Sequence, residues 1–219
     1  MGQTERKQLE QEIRRKDILD AAERVFFSRG YDNASMDEVA KEAEFSKRTV
    51  YVYFNSKEQI YFEIMIRGYH LLLEMLERDF NEQKPGNALA ELRCIFFSFY
   101  NFRENWSMYF KAIMEYETKD ADARPGVDES SKNECYRLGE QLLGYLSRAI
   151  QKGVEEGSLK KSLVPEKSAL ILWACTTGIF NISDKKAEYL KNYHQVDPKE
   201  LIEDYFNMIM GFLNGNGEI

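Results

Sequence analysis

Between Ser35 and Lys57 the sequence SMDEVAKEAEFSKRTVYVYFNSK carries two helix starts so close together that only two short helices and a tight turn fit. Ser35 followed by Glu38 is a capping box: hydroxyl and carboxylate each satisfy a backbone N–H that a helix start leaves orphaned, so a helix begins at Met36. Met36, Val39, Ala40 and Ala43 then recur at helical spacing and define one buried face. The periodicity breaks at Glu44-Phe45-Ser46, where Ser46 is a good N-cap for a second helix over Lys47 to Phe54. That helix buries Val50 and Phe54 one turn apart and leaves Lys47, Arg48, Thr49, Tyr51 and Tyr53 to project elsewhere. Two helices with a three-residue turn outline a helix-turn-helix at about 35–54, a motif whose second helix enters the major groove of DNA.

The flanks extend the motif into a small head. Ile18, Ala21, Ala22, Val25 and Phe26 form an apolar stripe on a preceding helix that stops at Gly30, a residue suited to ending helices. Gly30-Tyr31-Asp32-Asn33 is turn chemistry. Beyond Phe54, Ser56 with Gln59 is another capping box and opens a fourth, longer helix. The reading gives an N-terminal domain over 12–68 and a second over 69–219.

Net charge is −7, which taken alone argues against a nucleic-acid partner. The local balance differs. Ser46 to Lys57 contains Lys47, Arg48 and Lys57 and no acidic residue. Ahead of the first helix, Arg6, Lys7, Arg14, Arg15 and Lys16 stand among Glu5, Glu10, Glu12 and Asp17, as either a DNA-contacting arm or a solvated charged helix start. Phosphate contacts act within about 10 Å at moderate salt, so patch charge outweighs the total.

Hydrophobic residues at 43% and charged residues at 31% describe a soluble globular chain long enough to bury a core. No apolar run approaches the roughly 20 residues of a membrane span. MGQTERKQLEQEIRRK lacks the apolar core of a signal peptide, so a cytoplasmic protein without a membrane partner is expected. Cys94, Cys135 and Cys175 are widely spaced, without CxxC, and read as reduced, buried thiols. Only His70 and His194 are available as histidines, and no nucleophile motif, glycine-rich phosphate loop or metal-ligand spacing is present. Neither catalysis nor a metal or cofactor is expected.

The run ILDAAERVFFSRGYDNASMDEVAKEAEFSKRTVYVYFNSKEQIYFEIM, from Ile18 to Met65, resembles the N-terminal domain of the TetR family of transcriptional regulators. The likeness rests on the ILDAA opening, the F..RGY corner, the MDEVAKEA helix, SK-T-Y-YF and SKEQI, all at matching spacings. It implies an all-α homodimer that usually represses transcription and releases DNA when a small molecule fills the C-terminal domain. By the same resemblance Thr49, Tyr51, Tyr53 and Lys57 align with positions that touch phosphates or bases. Ser35, Lys47 and Arg48 complete the candidate DNA-binding set, with Lys47 and Arg48 expected at base edges and Lys57 at a phosphate. Two positions depart from the family. Glu44 stands where Gly is usual, so it either takes up a costly positive φ or the turn closes differently. Arg48 stands where many relatives have a small residue, which should alter operator choice.

Beyond residue 68 the chain shows long helical periodicities and few breakers. Helices are expected from Tyr69 to Phe80 (continuing the fourth), Ala88 to Arg103, Asn105 to Glu117, Ser131 to Glu156, Glu166 to Ile182, and Pro198 to about Leu213. Lys119 to Asp128 reads as a loop, and Asp184 to Val196 as a polar connection with a short helix. No strand-like alternation occurs, so the fold class is all-α. Phe96, Phe97, Phe99, Tyr100 and Phe102 point around most of one helix, which is then either buried on all sides or lines a cavity. The resemblance favours a cavity for a small, largely apolar effector, aromatic or acyl. Its expected lining is Phe96, Phe99, Tyr100, Trp106 and Phe110, with Arg103, Glu115, Tyr145 and Thr176 as polar anchors unless exposed or locally paired.

SALILWACTTGIFNI is apolar almost all round and interleaved with small residues, and Leu201, Tyr205, Met208, Ile209 and Phe212 form a similar face on the last helix. In the family two such helices per subunit build an isologous four-helix interface. Leu170, Trp173, Ala174, Thr177, Tyr205, Met208, Ile209 and Phe212 are the candidate dimer contacts. A homodimer would present two recognition helices to successive major grooves of a palindromic double-stranded operator. An effector releases it only by binding the DNA-incompetent arrangement more tightly. A ligand-dependent activator or co-repressed regulator, and a non-DNA-binding adaptor hinted at by Glu44, are the competing readings.

Overall fold

A computed structural model describes residues 2–118 and 129–215, so the loop expected over 119–128 lies outside the described residues. Helices account for almost everything else; the described residues hold no strand beyond one isolated bridge between Leu159 and Asn214. The first helix, α1, runs Gln3–Arg29 without interruption. The charged stretch ahead of the apolar stripe is therefore its first half. Glu, Gln, Lys and Arg lose little side-chain freedom in a helix, Arg6 lies 3.8 Å from Glu10 one turn on, and Glu5 accepts the Gly2 backbone N–H at 2.7 Å. Gly30, at φ +78°, ends it.

Three helices follow: α2 Met36–Glu42, α3 Lys47–Tyr53 and α4 Lys57–Gln83. The capping box at Ser35 forms in full, with Glu38 N–H on the Ser35 hydroxyl and Ser35 N–H on the Glu38 carboxylate. Ser46 caps α3 by accepting the Thr49 N–H at 3.0 Å. After these come α5 Ala88–Asn105, α6 Ser107–Thr118, α7 Glu129–Glu155, α8 Pro165–Lys185, the short α9 Ala187–Tyr189 running into a π-helical turn Leu190–His194, and α10 Pro198–Leu213. Pro165 and Pro198 occupy the first turns of α8 and α10, where a missing N–H costs nothing.

The chain divides into two compact units, the described residues of Met1–Leu71 with Trp106–Leu138, and those of Leu72–Asn105 with Gly139–Ile219. In the first, Ile18, Ala22, Phe26, Val39, Val50, Phe54, Ile60, Ile64 and Met65 form a buried core. Helix α6 joins that core. Gly68 of α4 lets Tyr109 approach so closely that an added Cβ would sit 3.1 Å from it, and the Tyr61 hydroxyl donates to the Ala112 carbonyl at 3.2 Å. In the second unit Gly153 of α7 plays the same part, since a Cβ there would fall inside the Leu159 side chain. Among the described residues no helix is long and apolar enough to cross a membrane.

Candidate functional site

The turn between α2 and α3 closes as a Schellman motif: Phe45 N–H bonds the Ala40 carbonyl at 3.0 Å and Glu44 N–H the Lys41 carbonyl at 3.2 Å. That geometry needs a left-handed residue at Glu44, which stands at φ +58°. Of the two outcomes the sequence leaves open, the chain takes the strained one, and the two bonds hold it there.

Around this turn α3 presents its outer face. Lys47, Arg48 and Tyr51 are exposed, Thr49 and Tyr53 are half-buried, and Val50 beneath them is fully buried. Lys47 reaches Asp37 at 2.8 Å, and this hydrogen bond is the main reason its ammonium pKa is raised. Both partners are largely exposed, so a phosphate can take the place of Asp37. Arg48 forms no ion pair among the described residues. Ser35 is committed to its cap, and the Thr49 hydroxyl shares a 2.8 Å bond with Ser46. Val52, 74% exposed, also belongs to this face; its β-branched apolar character gave no sign of a DNA role, yet apolar contact reads the thymine methyl.

Lys57 is placed differently from a plain phosphate holder. Its ammonium donates to the Tyr31 and Ala34 carbonyls at 2.8 and 2.9 Å and lies over the Tyr31 ring at 4.3 Å. The Tyr31 hydroxyl in turn donates to Glu58 at 2.7 Å. Burial works against the Glu58 charge, but the Tyr31 bond, backbone and Ser56 bonds and Lys57 outweigh it and lower its pKa. Two of the three Lys57 N–H groups thus hold the corner before α2 onto the start of α4.

The second unit encloses a cavity of about 70 Å³ among α4, α5, α7, α8 and α10, lined chiefly by Leu, Ile, Met and aromatic side chains. Phe96, Phe99 and Thr176 line it as expected. The other predicted lining residues sit elsewhere. Trp106 and Phe110 belong to the first unit, because α6 packs there. Tyr145 stands against Phe80 at 5.7 Å and beneath Arg148, Tyr100 lies 6.3 Å from Phe180, and Arg103 pairs with Glu104 and Asp184. Three residues read as dimer contacts, Trp173, Tyr205 and Ile209, line the cavity. The Tyr205 hydroxyl bonds the Thr176 hydroxyl at 2.9 Å, and this pair and Ser98 are the polar lining residues.

Helices α8 and α10 keep an outer apolar face. Leu170, Met208 and Phe212 of the predicted set are exposed, as is Ala174, while Thr177 is half-buried with its hydroxyl on the Ala174 carbonyl. Ile171 and Ile182 join them, both missed in the sequence because an almost uniformly apolar helix gives no periodic clue to its inner side. Cys175, expected to be buried, is exposed on this face; Cys94 and Cys135 are buried, and burial pushes the Cys94 thiol up.

Residues 18–64 match the model of the bacterial regulatory proteins, tetR family. The transcriptional activator FasR of Mycolicibacterium smegmatis is 31% identical over 207 residues, covering 94% of this chain and 85% of the relative. Two solved structures share the fold. AibR in complex with isovaleryl coenzyme A and operator DNA has TM-score 0.62 and 20% identity over 92% of this chain and 98% of that one. FadR from Bacillus subtilis in complex with stearoyl-CoA has TM-score 0.63 and 17% identity over 91% and 99%. The chain belongs to the TetR family of bacterial transcriptional regulators.

Proposed function

We propose that this chain is a dimeric, ligand-responsive repressor that holds a palindromic operator through α3 and releases it when a small, largely apolar molecule fills the second unit. The observation that carries the reading is the pairing, in one chain, of a capped recognition helix with an exposed outer face and an almost wholly apolar cavity. A void of about 70 Å³ is far below the roughly 300–1,000 Å³ of an occupied ligand site. Binding therefore requires side chains to move, and that is how a ligand acquires different affinities for two arrangements. AibR and FadR, which share the fold, carry acyl thioesters, in keeping with an acyl or similar apolar effector here.

A coupling of about 1–3 kcal/mol, or 5–150-fold in operator affinity, suffices for regulation. FasR is named an activator, which supports a second reading in which the DNA-bound chain activates transcription rather than represses it. The test is a titration of recovered operator fragments with and without isovaleryl- and stearoyl-coenzyme A and decanoate. Weakened binding supports release by ligand, a reporter gene placed behind the operator separates repression from activation, and unchanged affinity with all three overturns the acyl-responsive reading.

A further inference from the structure

The interior of the second unit has a polar pole beyond the cavity. Phe99, on the cavity wall, lies 5.5 Å from Phe180, which is fully buried. The Arg103 guanidinium stands over that ring at 5.3 Å from its centroid, with its side chain only 12% exposed. Arg103 pairs with Asp184 through two bonds and with Glu104 through a third; Glu104 also faces Lys199 at 3.9 Å. Asp184 is the more exposed partner, 43% exposed on the last turn of α8. One residue before it, Ser183 is 2% exposed, and among the described residues its hydroxyl is the buried side-chain polar atom without a hydrogen-bond partner.

Phe180 and Ser183 are one turn apart, on the face of α8 that also buries Ala169 and Leu172. Against Phe180 the aromatic layer thus meets a guanidinium, and one helical turn further along the same buried face stands an unsatisfied hydroxyl. An orphaned buried donor is costly, and a guanidinium suits a carboxylate because two parallel N–H groups meet two oxygens.

Resting on the cavity reading above, we propose that the effector is an acyl chain ending in a carboxylate: the chain fills the cavity, and the carboxylate displaces Asp184 from Arg103 and accepts the Ser183 hydroxyl. From Thr176, on the cavity wall, to Ser183 is seven helical residues, about 10 Å. That span suits a medium-length chain, with Phe180 swinging aside as the head group passes. The proposal makes Asp184 a competitor, present until ligand arrives, whereas a purely structural ion pair would make it a support.

The experiment uses the full chain with Trp106→Phe, which leaves Trp173, on the cavity wall, as its one tryptophan. Its fluorescence is titrated with decanoate and with 1-decanol. Decanoate should bind at least about tenfold more tightly than decanol. Arg103→Met should erase that preference, Ser183→Ala should reduce it without lowering the melting temperature, and Asp184→Asn should tighten decanoate severalfold with decanol unchanged. Equal binding of the two, or weaker decanoate binding in Asp184→Asn, overturns this proposal alone. No binding of either overturns the cavity reading and this proposal with it.

Discussion

Two residues in the head carry unusual duties. Glu44 sits at φ +58° because the Schellman turn requires it, and a non-glycine residue in that region costs of order 1 kcal/mol. Glu44→Gly should therefore stabilise the protein by about 1 kcal/mol, read as a raised denaturation midpoint at unchanged slope; a lower midpoint would mean that the carboxylate contributes something the turn needs. The sequence carried this site far enough to pose both outcomes. It did not carry Lys57, whose partners are carbonyls at Tyr31 and Ala34; a lysine's reach to main chain distant in sequence leaves no pattern. Lys57→Ala should cost about 1–2 kcal/mol of stability through those lost charge-assisted bonds, and operator and random DNA should weaken together. Unchanged stability with weaker DNA binding would return Lys57 to a simple phosphate contact.

Among the elements, helix existence was legible because caps and prolines mark starts and glycines mark ends: Ser35, Ser46, Pro165, Pro198 and Gly30 all stand where the structure uses them. What each helix touches was legible only where its pattern is amphipathic. Val50 and Phe54 were read correctly as the buried side of α3. On α8 and α10, apolar almost all round, inner Trp173, Tyr205 and Ile209 could not be told from outer Leu170, Met208 and Phe212. Helix α3 supplies a direct test. Arg48→Ala should cost about 1–3 kcal/mol on operator and little on random DNA, and equal losses on both would remove it from base readout. Helix α7 supplies another: Gly153→Ala forces a methyl into Leu159 and against Ala88, which should destabilise by about 1–3 kcal/mol and lower the melting temperature.

For the molecule as a whole, the division into units was the least legible feature. No composition shift marks the described residues of Trp106–Leu138 as partners of the head; close contacts such as Gly68 against Tyr109 join them. Acid stability is a property of the whole chain. The carboxyls of Glu38, held by the Ser35 hydroxyl, and Glu58 have lowered pKa values in the fold. A depressed folded pKa means that the stability is present above the ordinary value of 4.5 and is lost as pH falls below it through the folded values. The melting temperature should hold from neutral pH to about pH 5 and then fall, less steeply in Glu58→Gln. A melting temperature that rises on acidification would contradict that linkage.

The exposed face of Leu170, Ile171, Met208 and Phe212 has the chemistry of an isologous contact, and Met208→Glu should yield monomers in sedimentation while leaving helicity intact. The central claim is ligand-responsive recognition of a particular DNA sequence. Its most direct measurement is selection of genomic fragments by the purified protein at about 0.15 M salt, followed by titration of the recovered site with and without acyl ligand. The account predicts an enriched palindrome whose affinity changes at least fivefold on adding ligand. Weak, salt-sensitive binding with no enriched sequence, or an enriched site indifferent to every acyl compound, would contradict it.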